Sequence, residues 1–124
     1  MTDDTFWLAI NIYHEGRGEP TEGQEAIGHV CYNRAAKKRK SIKEIVLQPY
    51  QFSWHNNNKF PHISEYESLR QCFVIAEVVQ LERQHGIDPV NGADHYFADY
   101  IDQPEWAQDM TKVCKIGKHT FYKS

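Results

Sequence analysis

Apolar positions recur at helical spacing through the first two thirds of this chain and change period near its end. Phe6, Trp7, Ile10 and Tyr13 repeat at three- and four-residue intervals, which predicts a first helix capped by Asp3 or Asp4. It ends at a turn holding Gly16 and Gly18. Pro20 suits the first position of a second helix, whose buried stripe is Ala26, Ile27, Val30, Cys31 and Tyr32. That helix runs into Lys37-Lys38-Arg39-Lys40, a cation cluster of the kind a helix C-terminus favours; it also offers a docking patch for an anionic polymer. Ser41 and Glu44 read as a capping box opening a short helix with Ile42, Ile45 and Val46, closed by Pro49.

Residues 48–62 read as a loop, with Pro49, Asn56, Asn57, Asn58 and Pro61 as its breakers. Its aromatics, Tyr50, Phe52, Trp54 and Phe60, read as a lip over a site. A second capping box, Ser64 with Glu67, starts the longest helix, with Leu69, Phe73, Ala76, Val78 and Val79 on the core face and Gly86 as its stop. Then the period shortens. Tyr96, Phe97 and Tyr100 fall in a short extended piece, and residues 113–116 and 119–122 flank Gly117-Lys118, the signature of a type II′ hairpin. There is no internal repeat or linker. The pattern predicts a single domain over residues 1–124, mainly α (α+β), with a small C-terminal β-hairpin.

Composition narrows the function. Six Phe, seven Tyr and three Trp fit a core plus an aromatic-lined groove. Fourteen Lys and Arg against seventeen Asp and Glu leave a net charge of −3, which argues against nucleic acid as a partner. Cys31, Cys72 and Cys114 are far apart, with no zinc spacing, and are expected as buried free thiols in a reducing compartment. The acidic start, Thr2-Asp3-Asp4-Thr5, is not a signal peptide, and no apolar run approaches membrane-spanning length. The expectation is a monomer, not inserted in a membrane, that stays cytoplasmic until another agent releases it.

The richest chemistry lies in Tyr13-His14-Glu15-Gly16-Arg17-Gly18-Glu19-Pro20. Glu15 and Glu19 are four apart, so they share a face if the helix continues between them. Gly16 and Gly18 leave backbone uncovered for a ligand to approach. A carboxylate where a helix opens into such a turn can be partly desolvated and still reach substrate, as a general acid near neutral pH requires. The same residues also read as a helix stop followed by a helix start, with two solvated glutamates.

Taken together with Glu22-Gly23-Gln24, Val30, Asn33-Arg34, Gln48-Pro49-Tyr50-Gln51-Phe52-Ser53, residues 93–97, Trp106 and residues 116–122, this stretch resembles the cell-wall hydrolase family of spore cortex-lytic enzymes, SleB-like, and its phage-borne relatives. The resemblance covers nearly the whole chain. It departs at His14, where a small residue is usual, and at Gly16, where alanine is usual; the wall-binding module and export signal of the spore enzymes are not evident. The resemblance implies a lysozyme-like, mainly α fold and cleavage of peptidoglycan glycan strands between N-acetylmuramic acid and N-acetylglucosamine. It implies a lytic transglycosylase that needs no cofactor, and, with the absence of a signal, a phage lysin acting on the host wall. The family's catalytic glutamate falls on Glu15.

Glycoside cleavage ordinarily uses two carboxylates, but a transglycosylase works with one, because its nucleophile is a hydroxyl of the substrate. Glu15 therefore stands as general acid/base, with apolar neighbours, Tyr13 or Phe52, expected around it. Glu19 has three competing roles: stabilising an oxocarbenium-like transition state, holding Arg17 or the glycine turn, or capping the next helix. Gln51 and Ser53 suit the N-acetyl and hydroxyl groups of a sugar, and Trp54 and Tyr96 suit its C–H faces. Phe97, Trp106 and Phe121 read as core, and His119 as a surface or structural residue. Three alternatives stand beside this reading: a hydrolytic muramidase using a second carboxylate (Glu19 or Asp94), a zinc amidase drawing on His14, His55, His62, His95 or His119, and a non-catalytic glycan-binding protein. His14-Glu15 is followed by glycine at position 18, so the zincin pair is absent and no metal site is expected.

Overall fold

The structure, a computed structural model, describes residues 2–48 and 65–124. The predicted loop and its aromatic lip, including Gln51, Ser53 and Trp54, lie outside the described residues.

Helix α1 (Asp3–Gly16) is the central element. Its residues from Leu8 through Tyr13 are all buried, so at that level it has no solvent face. A one-sided stripe therefore captured only part of it: Ile10 and Tyr13 are in the core, but Leu8, Ala9 and Ile12 are equally buried, and Phe6 and Trp7 only half so. The N-cap is Thr2, not Asp3 or Asp4. Its Oγ1 accepts from the Thr5 backbone N–H at 3.2 Å, while the two aspartates occupy the first turn, where negative charge complements the helix dipole.

Helix α2 (Thr21–Lys38) starts one residue later than expected, with Pro20 as N-cap; the Pro20 carbonyl accepts the first bond from Gln24 N at 3.1 Å. It ends in the cationic turn on a left-handed Arg39 (φ 55°). Helix α3 (Ile42–Leu47) opens with the predicted capping box, Ser41 Oγ accepting from Glu44 N at 3.1 Å and Glu44 Oε1 from Ser41 N at 3.0 Å. Helix α4 (Tyr66–Gln84) has Glu65 at its N-cap with no side-chain cap bond; Ser64, expected to cap it, lies outside the described residues. Cys72, Ile75, Ala76 and Val79 form its buried stripe, with Leu69 and Phe73 partly buried beside them.

Helices α2, α3 and α4 pack around α1 in one core that includes Leu8, Ile12, Tyr13, Ile27, Ile45, Val46 and Val79. Close approach depends on Gly28. A Cβ there would come within 2.9 Å of Val79 Cγ2 and 3.5 Å of Ile12 Cδ1. Cys31 and Cys72 are buried free thiols, with burial pushing their pKa values up to about 12 and about 11; Cys114 is free but only half-buried.

The C-terminal third is a three-stranded antiparallel sheet rather than an isolated hairpin. Strands β1 (His95–Ala98), β2 (Thr111–Ile116) and β3 (His119–Lys123) lie in the order β1-β3-β2. The hairpin itself is as predicted, with Gly117 at φ +58° as the first of two turn residues between Ile116 and His119. The extended piece around Tyr96 joins it as β1, pairing Tyr96 with Phe121 and Ala98 with His119. Phe121 is fully buried against Ala26, Val30, Val90 and Ala93, as expected for core, and Tyr96 packs against both this cluster and the helical core. Trp106, carried by a 3-10 turn (Glu105–Asp109), covers the outer face of the sheet, where Phe97 stacks on Tyr122.

Two side-chain anchors fix where β1 begins. Asn33 Nδ2 donates to Asp88 Oδ2 (3.0 Å) and the Ala93 carbonyl (2.9 Å), and Arg34 Nε donates to the Asp94 carbonyl at 2.5 Å. The Asp94 side chain, 5% exposed, accepts from Ser124 N and Oγ at 2.9 and 2.5 Å and from His95 Nδ1 at 3.0 Å. Burial pushes this carboxyl up, but the bonds from Ser124 and His95 outweigh it and hold the group well below the usual carboxylate range. A carboxyl lowered in the fold stabilises the protein above its unfolded pKa, about 4, and that contribution is lost as pH falls below it. Asp94→Asn should therefore cost about 2 kcal/mol at pH 7 and progressively less between pH 4 and pH 2, measured by denaturant melts across pH.

Candidate active site

Helix α1 ends at Gly16, where α2 crosses closely. A Cβ on Gly16 would meet Ile27 Cδ1 at 2.4 Å, and the Gly16 carbonyl accepts from Glu19 N at 2.9 Å and from Gln24 Nε2 at 3.2 Å. The helix thus ends one residue beyond Glu15 and three before Glu19, and the two carboxylates do not share a helical face. Glu15 is half-buried at the helix mouth, and its Oε1 accepts from the Tyr96 hydroxyl at 2.6 Å. Burial, and after it the Glu15 charge, push the Tyr96 hydroxyl well above its usual range, so it remains a proton donor to that carboxylate.

Glu19 is engaged elsewhere. Its side chain is 7% exposed, and its Oε1 accepts from Lys118 N at 3.1 Å and pairs with His119 Nδ1. It holds the β2–β3 turn. A Cβ on Gly117 would come within 2.7 Å of Glu19 Oε2, so the bare backbone of that turn is what admits the carboxylate. Helix capping, one of its expected roles, has no hydrogen bond behind it, and the turn its side chain holds is the hairpin, not the glycine turn beside it.

The remaining turn residues are also paired. Arg17 Nε bonds Glu65 Oε2 at 2.9 Å, and its guanidinium lies 4.7 Å from the centre of the Tyr13 ring. Tyr13 is buried and accepts from Glu65 N at 3.1 Å through its hydroxyl. Burial, with Arg17 beside it, lowers the His14 pKa and favours a neutral ring.

Two adjoining hollows over Glu15 form the two arms of a cleft. His14, Glu15, Tyr100 and His119 line both; one arm runs past Arg17, Gly18, Glu19, Glu65 and Lys118, the other past Tyr96, Phe97, Ile101, Pro104 and Trp106. The first arm is polar and charged, the second aromatic. Of the residues expected at a site, Glu15, Glu19 and Tyr96 meet here. Gln51, Ser53 and Trp54 lie outside the described residues, and so do Phe52, His55 and His62.

Asp94 sits apart, beside Arg34, Lys37 and Lys38 on the far side of β1, and lines neither arm of the cleft. Phe97 and Trp106, read as core, line the cleft as well as packing on Tyr122, and His119, read as surface or structural, lines it while pairing with Glu19. Tyr100, 80% exposed at the centre of the cleft, was given no role; an exposed tyrosine just past a strand end was its only signal. Among the described residues no group of three or more His, Cys, Asp or Glu is placed to hold a metal ion. No helix among them is long and apolar enough to cross a membrane.

Known proteins of similar shape and sequence put this geometry in context. Over 97% of this chain and 89% of the other, the structure matches the crystal structure of the catalytic domain of the Bacillus cereus SleB protein, with a TM-score of 0.73 and 26% identity. The catalytic domain of the germination-specific lytic transglycosylase SleB from Bacillus anthracis has the same fold (TM-score 0.73, 24% identity, 99% of this chain and 97% of that one). The spore cortex-lytic enzymes of Bacillus cereus and Bacillus subtilis are 27% and 29% identical to it over 98% and 96% of its length. The chain spans 44% and 37% of those two proteins, less than half of each. Residues 18–122 match the family described as Cell Wall Hydrolase. With its lysozyme-like fold and a match over most of its length, this chain belongs to the cell wall hydrolase family.

Proposed function

We propose that this chain cleaves the glycan strands of peptidoglycan between N-acetylmuramic acid and N-acetylglucosamine, as a lytic transglycosylase with Glu15 as its general acid/base. The observation that carries the reading is the unequal placement of the two carboxylates. Glu19 is committed to the hairpin, whereas Glu15 stands at the centre of a two-armed cleft with a tyrosine hydroxyl on one oxygen. A cleft in which Glu19 is engaged by the hairpin and Glu65 by Arg17 suits a reaction whose nucleophile belongs to the substrate.

In this mechanism protonated Glu15 donates to the glycosidic oxygen as the C1–O bond breaks. The muramyl 6-hydroxyl then attacks C1 and gives its proton to the Glu15 carboxylate, closing a 1,6-anhydro ring and restoring the acid. The Tyr96 hydroxyl fixes which Glu15 oxygen faces the substrate. The long cleft suits a polymer threaded past the acid, and the aromatic arm suits sugar C–H faces. The names of the matched relatives, a spore cortex-lytic enzyme and a germination-specific lytic transglycosylase, support the same substrate. The family match itself begins at Gly18, three residues past Glu15, so the assignment of Glu15 rests on geometry and on the motif around it.

Gln51, Ser53 and Trp54 stay in the proposal as sugar contacts on their residue types alone. The chain is proposed to act as a phage lysin, reaching the host wall after release; expression in a bacterium should then lyse cells only when a membrane-permeabilising partner is co-expressed.

Glu15→Gln keeps the shape and removes the acid. Turnover of purified peptidoglycan should fall by at least about 10³-fold, with binding to the insoluble wall unchanged. Tyr96→Phe should lose about tenfold in kcat and leave wall binding intact. Lysis by the Glu15→Gln protein at the parent rate would remove Glu15 as the acid.

A further inference from the structure

His119 lies in both arms of the cleft beside Glu15, and one of its ring nitrogens is already engaged. Nδ1 pairs with Glu19 Oε1, and Glu19 is itself held by the Lys118 backbone N–H and 7% exposed. A carboxylate accepts but does not donate, so in the neutral ring it keeps the proton on Nδ1 and leaves a lone pair on Nε2. Nε2 makes no hydrogen bond among the described residues. The ring is also wedged, edge-on to Tyr96 (5.2 Å between centroids, 89°) and beside Phe121 (6.5 Å). Tyr96 is the residue that holds Glu15, so acid and imidazole sit on one packed unit.

We propose that His119, oriented by Glu19, is a substrate-positioning residue whose Nε2 accepts a hydrogen bond from the sugar bound across Glu15, from a hydroxyl or the acetamido N–H. The inference rests on the reading that this cleft binds glycan. Glu19 acts through His119: it sets the tautomer and the ring angle, and it pins the hairpin that carries the ring. Displacing the sugar by about 1 Å from the acid costs on the order of 10²-fold in rate, which is the scale of effect expected.

Two substitutions separate positioning from mere closure of the hairpin. His119→Asn keeps an N–H donor close to where Nδ1 lies, so the Glu19 bond survives while Nε2 is removed. His119→Gln puts an amide close to where Nε2 lies. Thermal melts, kcat and KM on purified glycan strands, and nitrogen NMR of labelled histidine titrated with N-acetylglucosamine oligomers are measured together. His119→Asn should melt within a few degrees of the parent, with kcat down about 30- to 100-fold and KM altered by less than about threefold. His119→Gln should recover about tenfold of that loss. In the parent protein His119 Nε2 should be unprotonated, and its resonance should move on saturation with the oligomer.

A folded His119→Asn protein with parental kcat would overturn the proposal. So would a proton on Nε2 in the free protein, an Nε2 resonance unmoved at saturation, or a glutamine variant as slow as the asparagine one. A moving Nε2 resonance in a protein that cleaves no glycan would support positioning and count against the cleavage reading.

Discussion

Helix α1 is buried on every side from Leu8 to Tyr13, and at its last residue Ile27 of α2 fills the space a Cβ would need, so the close crossing of the two helices requires the glycine at position 16. The helix ends at this crossing. The chain turns away one residue after Glu15, leaving that carboxylate at the open end of an otherwise enclosed helix. Gln24, one turn into α2, binds carbonyls at the helix end, with Nε2 at 3.2 Å from Gly16 O and 3.4 Å from Arg17 O, and Glu19 N also donates to Gly16 O at 2.9 Å. The sheet then comes to the same point from the other side. Asn33 and Arg34 clamp residues 88–94, and two residues later Tyr96 arrives at Glu15.

The same turn divides the two carboxylates. Glu15 is met by a neutral hydroxyl from β1, and Glu19 by a backbone N–H and an imidazole from the β2–β3 turn. The second partner set encloses its carboxylate and commits it to holding the hairpin. Two glutamates four residues apart therefore do different work, separated by which strand end each one meets. The hairpin contributes Lys118 and His119 to the polar arm, and β1 contributes Tyr96 and Phe97 to the aromatic one.

Much of this was legible in the residues, for physical reasons that differ from place to place. The Ser41 capping box and the Gly117-Lys118 hairpin are local, set by backbone chemistry over a few residues, and both stand as read. The family resemblance and the mainly α fold were carried by motif order along the chain. The N-cap of α1 was misplaced by one residue or two, because Thr2, Asp3 and Asp4 are all good caps and only geometry chooses among them. The third strand was missed because its partner lies more than twenty residues away; β1 has a strand's composition but only β3 makes it one. His119 and Tyr100 were passed over for the same reason. A histidine beside a hairpin turn says nothing by itself of the carboxylate one hundred residues earlier that holds it.

The central claim is that one carboxylate, Glu15, suffices, and the chemical form of the product tests it most directly. Purified peptidoglycan is digested with the protein and the soluble muropeptides are weighed by mass spectrometry. The account predicts products ending in 1,6-anhydro-N-acetylmuramic acid, lighter by one water than their hydrolytic counterparts. Products with reducing muramic acid ends would contradict it by making water the nucleophile and requiring a second working carboxylate. Free peptides released from intact glycan would place the cleavage on a different bond altogether.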